Sequence, residues 1–409
     1  GNPAYHPKMM LKVLFYAYYV GIMSSRTIWD CVINRADFMY LAAGQVPNFR
    51  TINAFRLRHI ERLGGLFTQI VMLCKRLGMI GFKHLAIDGQ KIHANANFKK
   101  SKNLKGLGKE YEKVKMGIEK LLSKEVGEYF PEETKEKRVG RLSKKLEKLE
   151  EFQKELEALG DEEKRINMTD ADAPVMRHKD GTSKPSYNHQ SAADEKYGVV
   201  TAVETTQSGD NPDDLLKVVD ASNENTEGEH ENVSADCGFC SYDILEEVEE
   251  RSEEYYVPDR LYENSKQDAS EKKRYGVEDF TKDAEGNYIC PAGGAMKYVG
   301  VVKTSQGDEV EKYIGTGCGE ECPLKEKCTK AKKRSFHVDL REGYREKMRE
   351  KLSSDKGREL YMKRQGLVEP LHGDDQKNKG WKQHHLRGLG KATGEFILMR
   401  IATNLAKII

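Results

Sequence analysis

The first 80 residues carry apolar side chains at helical spacing. In the stretches MMLKVLFYAYYVGIMSSRTIWDCVI and LGGLFTQIVMLCKRLGMIGF, apolar residues recur every three or four positions, which is typical of amphipathic helices. Ser24 or Ser25 is suited to cap a helix that begins at RTIWD. The pattern therefore predicts a helical domain over residues 1–80. Basic residues between its short helices favour a role in DNA binding, although such bundles also serve in dimerisation.

A second predicted helical region has a different composition. Residues 99–165 are highly charged, and apolar residues recur at spacings of three and four at Leu146, Leu149, Phe152, Leu156 and Leu159. Gly160 is suited to end this helix. An earlier apolar stripe runs from Tyr111 to Leu121, and Pro131 separates the two. We expect a charged antiparallel helical hairpin of coiled-coil character, inserted into another domain.

Strand and helix patterns alternate in much of the remaining chain. YNHQSAAD, YGVVTAVETT and ENVSADCGF have strand character, whereas NPDDLLKVVDAS and YDILEEVEE have helical spacing. Residues 81–98, 166–260 and 358–409 are therefore expected to form one α/β unit with a mixed central sheet and flanking helices. Residues 261–357 are polar and irregular, and we expect them to form a Cys-rich insertion.

Two acidic residues follow short apolar strands. Asp88 comes directly after Leu85–Ile87, Asp236 follows VSA, and a glycine stands one or two residues after each acid. Functional sites in open α/β sheets collect at strand ends, and two such carboxylates on adjacent strands suit a hard cation such as Mg²⁺. A third carboxylate would complete a two-metal site for phosphodiester cleavage. The alternative for each acid is a helix cap or a turn former.

The distribution of charge along the chain is more informative than the net charge. The chain has 409 residues, 33% of them charged, and a formal net charge of only +2. Residues 1–85 carry a net charge of +8, residues 200–260 a net charge of −15 and residues 325–409 a net charge of +11. Basic ends around an acidic middle suit a polyanion held over a cation site, or uneven solvated faces. No apolar run approaches the ~20 residues of a membrane span, so we expect a soluble intracellular protein.

Four of the eight cysteines lie close together in the sequence, in YICPAGG…GCGEECPLKEKCTK. In an intracellular protein such a cluster indicates a metal site more often than disulfides. Thiolates in two pairs suit structural Zn²⁺, and paired or free thiols are the alternative. The expected zinc ligands are Cys290, Cys318, Cys322 and Cys328.

Six fragments occur in a defined order along the chain: AIDGQKIHANAN, MTDADAPVM, YNHQSAAD, VSADCGF, YMKRQGLVEPLHG and LRGLGKATGEFILMRIATNLAKI. In this order they resemble the DDE transposases of bacterial insertion sequences. YHPKMMLKVLFYAYYVGIMSSRTIWD resembles the helical domain that precedes the catalytic domain in one branch of that family. The resemblance covers nearly the whole chain. It implies an RNase-H-like catalytic core that cleaves transposon ends with a metal ion and transfers the strand into target DNA.

The resemblance also implies which residues act. Asp88 and Asp236 match the first and second catalytic acids of the family. Glu369 in YMKRQGLVEP matches the third acid, with Arg364 upstream of it, and Glu395 in TGEFILM is the rival third acid. The three acids would hold Mg²⁺ (or Mn²⁺).

Further residues and partners follow from the same resemblance. The DNA would be the element's terminal inverted repeats and the target DNA, bound by a homodimer or a larger synaptic complex at the nucleoid of a bacterial cytoplasm. The residues expected to contact DNA are Lys91, Arg364, Lys377 and Arg387.

The chain departs from the family after the third acid. The family usually has an aromatic, an aliphatic and then a lysine there, whereas this chain has His372, Asp375 and Gln376, with Lys377 one place late. Asp374 and Asp375 also add negative charge beside the expected DNA path. The departures leave a second interpretation open, a catalytically inactive or co-opted DNA-binding protein derived from a transposase.

Overall fold

The computed structural model describes residues 4–123, 131–209, 211–265, 275–283, 285–304, 309–319 and 321–409. These residues form an α/β protein with a mixed central sheet and helices on both of its faces. Among them, no helix combines the length and the apolar character needed to cross a membrane.

Residues 4–80 form five α-helices, as their apolar pattern predicts. Asn48 caps the fourth of these helices, because its side chain accepts a hydrogen bond from the Thr51 N–H. The first four helices share an apolar cluster that contains Leu14, Ile28 and Phe38. The five are α1 (Pro7–Tyr19), α2 (Ser25–Asn34), α3 (Ala36–Leu41), α4 (Phe49–Arg58) and α5 (Leu63–Arg76).

The predicted pair of charged helices follows the first strand. The elements in order are β1 (His84–His93), β2 (Ser101–Lys102), α6 (Leu104–Leu122), α7 (Glu132–Leu159) and β3 (Ile166–Asn167). The α7 helix ends at Gly160, whose φ of +65° favours glycine. Residues of α6 and α7 pack together, and the buried set is Leu107, Val114, Leu149, Phe152 and Leu156. The predicted stripe on the second helix is therefore confirmed, except that Leu159 is exposed.

The central sheet contains six strands. In chain order the next elements are β4 (Val175–Arg177), β5 (Ser183–Asp194), β6 (Val200–Thr206), α8 (Asp214–Thr226), β7 (Asn232–Ser234), α9 (Tyr242–Glu247), β8 (Glu254–Tyr256) and α10 (Arg260–Ser265). The strand order is β4-β5-β1-β7-β8, and β6 also pairs with β5. The β5 strand is antiparallel to β1, β4 and β6, whereas β1, β7 and β8 are mutually parallel. The mixed sheet predicted from the alternating pattern is confirmed.

The Cys-rich region is more regular than its sequence indicates. A three-stranded sheet of order β11-β12-β13 supports an aromatic cluster of Phe280, Tyr288, Tyr313 and Phe336. Polar residues separate these aromatic residues in the sequence, so the cluster leaves no apolar pattern there. The elements are β9 (Thr281–Lys282), β10 (Tyr288–Ile289), β11 (Met296–Lys303), β12 (Glu309–Gly315), α11 (Lys325–Cys328) and β13 (Ser335–Asp339).

Three long helices complete the chain: α12 (Glu342–Ser353), α13 (Asp355–Gly373) and α14 (Leu389–Ile408). Side chains of β1 alternate between two cores. Leu85 and Ile87 join a cluster with α8, α9 and the first half of α13, whereas Ala86 faces α5, α14 and the second half of α13. Because the period of a strand is two, Asp88 shares the face of Ala86 and lies beneath α13.

Candidate active site

Asp88 and Asp236 lie at the same edge of the parallel part of the sheet. Strands β1 and β7 pair in parallel, and their last pair is Ala86 with Ser234. Asp88 and Asp236 each come two residues after that pair. The parallel register of β1 and β7 therefore brings both acids to one place, although Asp88 lies within β1 and only Asp236 follows its strand.

The position of Asp88 within its strand differs from the expectation. We expected the strand to stop there, whereas β1 continues to His93. The antiparallel partner β5 accompanies it throughout, so that Asp88 pairs with Ser191 and His93 with Ser186. The pairing with β7 is the one that ends before Asp88. The carboxylate therefore projects from a continuous strand beside the gap that β7 leaves.

Asp88 is largely buried and its charge is poorly compensated. The residue is 9% exposed, and Oδ1 accepts a hydrogen bond of 2.9 Å from the Gly89 N–H. Burial, and then the nearby charge of Asp236, raise the pKa of Asp88 to about 6 against the opposite effects of Arg364 and Gly89. Two carboxylates facing each other without sufficient cationic compensation are typical of a cation site or a catalytic pair.

Helix α13 places two nitrogen-containing side chains over Asp88. Nη1 of Arg364 lies 3.7 Å from Asp88 Oδ2, and Nδ1 of His372 lies 3.6 Å from the same oxygen. The two residues are eight apart, so they share one helix face. Nε and Nη1 of Arg364 and Nε2 of His372 are buried and have no hydrogen-bond partner among the described residues. Burial lowers the pKa of His372 to about 3, so its imidazole is neutral near pH 7.

Asp236 begins a short turn beside a second acid that the sequence did not indicate. Its Oδ1 accepts a hydrogen bond of 2.9 Å from the Gly238 N–H, in the 3₁₀ turn Cys237–Phe239. The Tyr361 hydroxyl on α13 donates to Glu263 Oε1 at 3.0 Å. Burial raises the pKa of Tyr361, and the charges of both Glu263 and Asp236 raise it further. Glu263 therefore lies near Asp236, a proximity for which its polar surroundings in the sequence gave no signal.

The predicted third acid, Glu369, is exposed on α13. It lies one turn before His372 on the helix that covers Asp88. Among the described residues, no group of three or more His, Cys, Asp or Glu side chains has the geometry of a metal site. The structure therefore brings Asp88 and Asp236 together, and it places Glu369 on the adjacent helix without closing a three-carboxylate site.

The rival third acid, Glu395, occupies a different environment. It is fully buried in α14. Its Oε2 accepts hydrogen bonds from His384 Nδ1 and the His385 N–H, both at 3.0 Å, and from the Leu386 N–H at 3.1 Å. Its Oε1 lies 3.6 Å from Nη1 of Arg56 on α4. Glu395 therefore links the N-terminal helices to the last helix of the chain.

A connected network of buried polar groups extends from Glu395. His384 Nε2 contacts His189 Nε2 on β5 at 2.8 Å, and Arg56 donates to the Tyr18 hydroxyl at 3.0 Å. The sequence alone gives no reason to assign a role to His384 and His385, because adjacent histidines on a helix would point apart. Both lie in the loop before α14, where His384 turns inward. Loop geometry of this kind leaves no periodic signal in a sequence.

The expectation that Asp375 adds negative charge beside a DNA path is wrong. The five residues that follow α13, Asp374–Asn378, form a π-helical turn. This turn directs Asp375 into the core. Its Oδ2 lies 2.5 Å from Arg400 Nη2 and accepts a hydrogen bond of 2.8 Å from Gln90 Nε2. Asp375 and Arg400 are both fully buried. The departure from the family at Asp375 is thus an internal ion pair that fastens α13 and α14 to β1.

The residues predicted to contact DNA lie in different settings. Lys377 is exposed on the π-helical turn. Nζ of Lys91 contacts the Arg177 carbonyl at 3.3 Å. Arg387 is exposed, and its Nε donates to the Asn95 carbonyl at 2.9 Å. Arg364 differs from the other three because it is buried against Asp88.

The four cysteines of the expected zinc site form no disulfide in the described part of the chain, and no metal site forms among the described residues. Zinc coordination is therefore not observed. The four nevertheless influence one another: burial raises the pKa of the Cys328 thiol, and the charges of Cys318, Cys290 and Cys322 raise it further. The Cys237 and Cys240 thiols beside Asp236 also have pKa values raised by burial, which disfavours thiolate reactivity.

Comparison with known families assigns both ends of the chain. Residues 1–58 match a transposase domain (DUF772), and residues 289–409 match a transposase DDE domain. The second match contains Glu369 and Glu395, while Asp88 and Asp236 lie outside both matched segments. No curated protein matches the chain. The two matched transposase domains, in this order, support the interpretation of the chain as a DDE transposase of an insertion element.

Proposed function

We propose that the protein cleaves the ends of its own insertion element and joins them to target DNA, using an acidic site at Asp88 and Asp236 in an RNase-H-like core. The strand arrangement supports the core assignment. Three antiparallel strands, β6, β5 and β1, are followed by two strands parallel to β1. The first acid comes from the central strand and the second follows its parallel neighbour. This juxtaposition is the observation that carries the proposal.

The acid pair fits a divalent cation chemically. Both candidate ligands offer carboxylate oxygens, which Mg²⁺ and Mn²⁺ accept. The pKa of Asp88 is raised to about 6 by burial and then by the charge of Asp236, which supports a site where negative charge accumulates. A cation bound between them would reverse the sign of that interaction.

The proposed reaction has two steps. Water attacks a phosphorus atom at the transposon end, and the bond to the 3′ oxygen breaks and leaves a 3′-hydroxyl. That hydroxyl then attacks a phosphodiester of target DNA, whose own 3′ oxygen departs. When bound, Mg²⁺ or Mn²⁺ activates the attacking oxygen and stabilises the leaving one. Asp88 and Asp236 would fix the cation, and Arg364, whose Nη1 has no hydrogen-bond partner among the described residues, would bind a phosphate oxygen.

Glu369 is the proposed third acid. It lies on the helix whose Arg364 and His372 already contact Asp88, and its carboxylate is exposed. Glu395 is disfavoured because its carboxylate already binds His384, two backbone N–H groups and Arg56. Its Oε1 accepts no hydrogen bond among the described residues, but the Arg56 guanidinium beside that oxygen and the full burial of Glu395 disfavour a cation there.

DNA would be the partner. The basic N-terminal helices would bind the terminal inverted repeats, and Lys91, Lys377 and Arg387 would contact phosphates. Pairing of two ends requires at least two copies of the protein. We also propose that the cysteine cluster binds Zn²⁺ when the four thiols deprotonate, which would stabilise the β11-β12-β13 region. Zinc content measured on purified protein, wild type against Cys322→Ser, tests this part.

Cleavage of the element's own ends tests the proposed function. The full chain is incubated with labelled duplexes taken from the DNA that flanks its gene, with Mg²⁺, Mn²⁺ or EDTA. We expect nicks that expose a 3′-hydroxyl with either metal and none with EDTA. Metal-independent cutting, or specific end binding without any cutting, would contradict the proposal. The second result would favour the DNA-binding alternative.

A pair of variants identifies the third acid in the same assay. Glu369→Gln should abolish nicking while the protein remains folded and binds DNA. Glu395→Gln should nick DNA wherever it is folded, because its carboxylate has a structural role. The reverse pattern would transfer the third position to Glu395.

A further inference from the structure

Helix α4 has two faces of opposite character. Ile52 and Arg56 are buried on its inner face, whereas Arg50, Ala54 and Arg58 are exposed. The three exposed residues follow one another at intervals of four, so they form one stripe along the helix, the outer face of α4. Neither the acid pair nor the Glu395 network gives this outer face a role.

The two arginines of the outer face have no acidic partner. Within the part of the chain that the structure describes, no carboxylate forms an ion pair with Arg50 or Arg58, whereas the buried Arg56 lies beside Glu395. Positive charge that the protein itself does not compensate is typical of a surface that binds a polyanion.

Arg26 of α2 extends this basic surface beyond α4. Its guanidinium carbon lies 5.2 Å from the centroid of the Phe49 ring, and that of Arg50 lies 5.8 Å from the same centroid. At the other end, Arg62 is exposed in the turn Ile60–Arg62 that follows α4. Glu61 is the one acid in the sequence between residues 49 and 62. The surface is therefore predominantly basic from Arg26 to Arg62.

The outer face of α4 suits the major groove of duplex DNA. Arg50 and Arg58 are about 12 Å apart along the helix axis, a span of about three or four base pairs. An arginine in the groove can donate two hydrogen bonds to a guanine, and a small residue such as Ala54 can contact a thymine methyl group. Helix α2 is less suited to this role, because its exposed Asp30 would meet DNA phosphates.

The inner face of α4 holds the helix in place. Arg56 donates hydrogen bonds to the Met23 carbonyl at 3.0 Å and to Asn53 Oδ1 at 2.8 Å, in addition to its contacts with Tyr18 and Glu395. A surface on such a fixed element loses little conformational freedom when it binds a partner. The outer face is therefore presented in one orientation.

We propose that α4 is the recognition helix of the protein and that its outer face reads base edges in the major groove of the terminal repeats. Arg50 and Arg58 are the base-reading residues, and Arg26 and Arg62 contact the flanking phosphates. The inference rests on the proposed function, because it presupposes that the protein binds the ends of its own element.

DNA binding without metal tests the inference independently of cleavage. The affinity of the full chain for an end duplex and for a scrambled duplex of equal composition is measured by fluorescence anisotropy in EDTA. Selection from a random duplex library gives the preferred sequence. The variants are Arg50→Gln and Arg58→Gln, and the matched control is Arg76→Gln, which changes an exposed arginine of α5 without an acidic partner among the described residues.

The two α4 variants should lose sequence recognition more than general DNA affinity. We expect each to bind the end duplex about tenfold more weakly, to bind the scrambled duplex no more than about threefold more weakly, and to select a different base at one or two positions. Arg76→Gln should bind both duplexes like the wild type.

Three other results would overturn the inference. Wild-type affinity of both α4 variants for the end duplex would show that another element recognises the ends, and cleavage by the wild type would leave the proposed function standing. An equal loss on both duplexes with an unchanged selected sequence would show that α4 contacts only phosphates. If the wild type binds both duplexes equally and cuts neither with Mg²⁺ or Mn²⁺, the inference and the proposed function are both wrong.

Discussion

Asp88 and Glu395 are both buried carboxylates, yet their surroundings are opposite. Glu395 receives three hydrogen bonds and lies beside the Arg56 guanidinium. Asp88 receives one hydrogen bond from its neighbour Gly89, faces a second acid, and has Arg364 only at 3.7 Å. Burial raises the pKa of both, but hydrogen bonding by His384 and the charge of Arg56 bring the pKa of Glu395 below its ordinary value, whereas the pKa of Asp88 stays raised.

The comparison separates a structural acid from a candidate ligand. A satisfied carboxylate stabilises the fold in its ionised form. A carboxylate left beside a like charge costs stability, and such an arrangement is typical of functional sites. Burial alone does not distinguish the two, since both are at least nine-tenths buried; the hydrogen-bond partners do.

The largest expected effect comes from removing the guanidinium that faces Glu395. Arg56→Met should lower the free energy of unfolding by about 3–5 kcal/mol, because it leaves a buried carboxylate without its cation. Arg58→Met, at an exposed position on the same helix, is the control and should change stability by about 0.5 kcal/mol or less. Urea unfolding of the three proteins measures this. Equal effects of the two substitutions would show that the Glu395 network does not connect α4 to α14 energetically.

Isosteric neutralisation of the two acids should give effects of opposite sign. Glu395→Gln is expected to lower the free energy of unfolding by about 2 kcal/mol, since it weakens charge-assisted hydrogen bonds. Asp88→Asn should leave stability unchanged or raise it by up to about 1 kcal/mol, because it relieves repulsion from Asp236. Urea unfolding in the absence of metal ions measures the free energy of unfolding of both variants. A destabilised Asp88→Asn would identify Asp88 as a structural residue.

The pH dependence of stability should sharpen the same contrast. The pKa of Glu395 in the folded protein lies below its ordinary value of 4.5, so ionised Glu395 stabilises the fold above about pH 4.5 and this stabilisation is lost as pH falls through the folded pKa. We therefore expect the wild type to lose more stability than Glu395→Gln between pH 5 and pH 3. Parallel stability curves for the two proteins would contradict the lowered pKa.

The smallest effect concerns the residue after Asp88. A Cβ atom added at Gly89 would overlap the side-chain amide of Gln190 on β5. Since the tip of that side chain can move, Gly89→Ala should cost only about 1 kcal/mol. Adding Gln190→Ala should recover part of the loss. If the double variant is no more stable than the single one, a different constraint requires glycine beside the acid.

How much the sequence could predict differs between the two carboxylates. The apolar patterns before Asp88 and Asp236 predicted a short strand in front of each acid, because strand pattern is a local property. The ten-residue length of β1 was missed, since β5 rather than the local sequence determines where it ends. The role of Glu395 depends on Arg56, which is far away along the chain, and on the loop that contains His384, His385 and Leu386, whose path leaves no periodic pattern. Only the folded structure joins them.

Asp375 is a second residue whose surroundings the sequence could not predict. As a sequence position it placed a negative charge where a transposase was expected to meet DNA. In the structure, a π-helical turn rotates it into the core against Arg400 and Gln90. A π-turn changes which residues of a helix face inward, and the 3.6-residue period cannot predict it.

Nicking by Asp88→Asn tests the central claim most directly. Wild type, Asp88→Asn and Glu395→Gln are compared on labelled DNA from the element's ends with Mn²⁺, at a temperature where circular dichroism shows all three folded. End binding is followed in parallel by gel shift. We predict that Asp88→Asn binds the ends like the wild type but yields no nicked product, while Glu395→Gln still cuts. Nicking by Asp88→Asn at the wild-type rate would contradict the account.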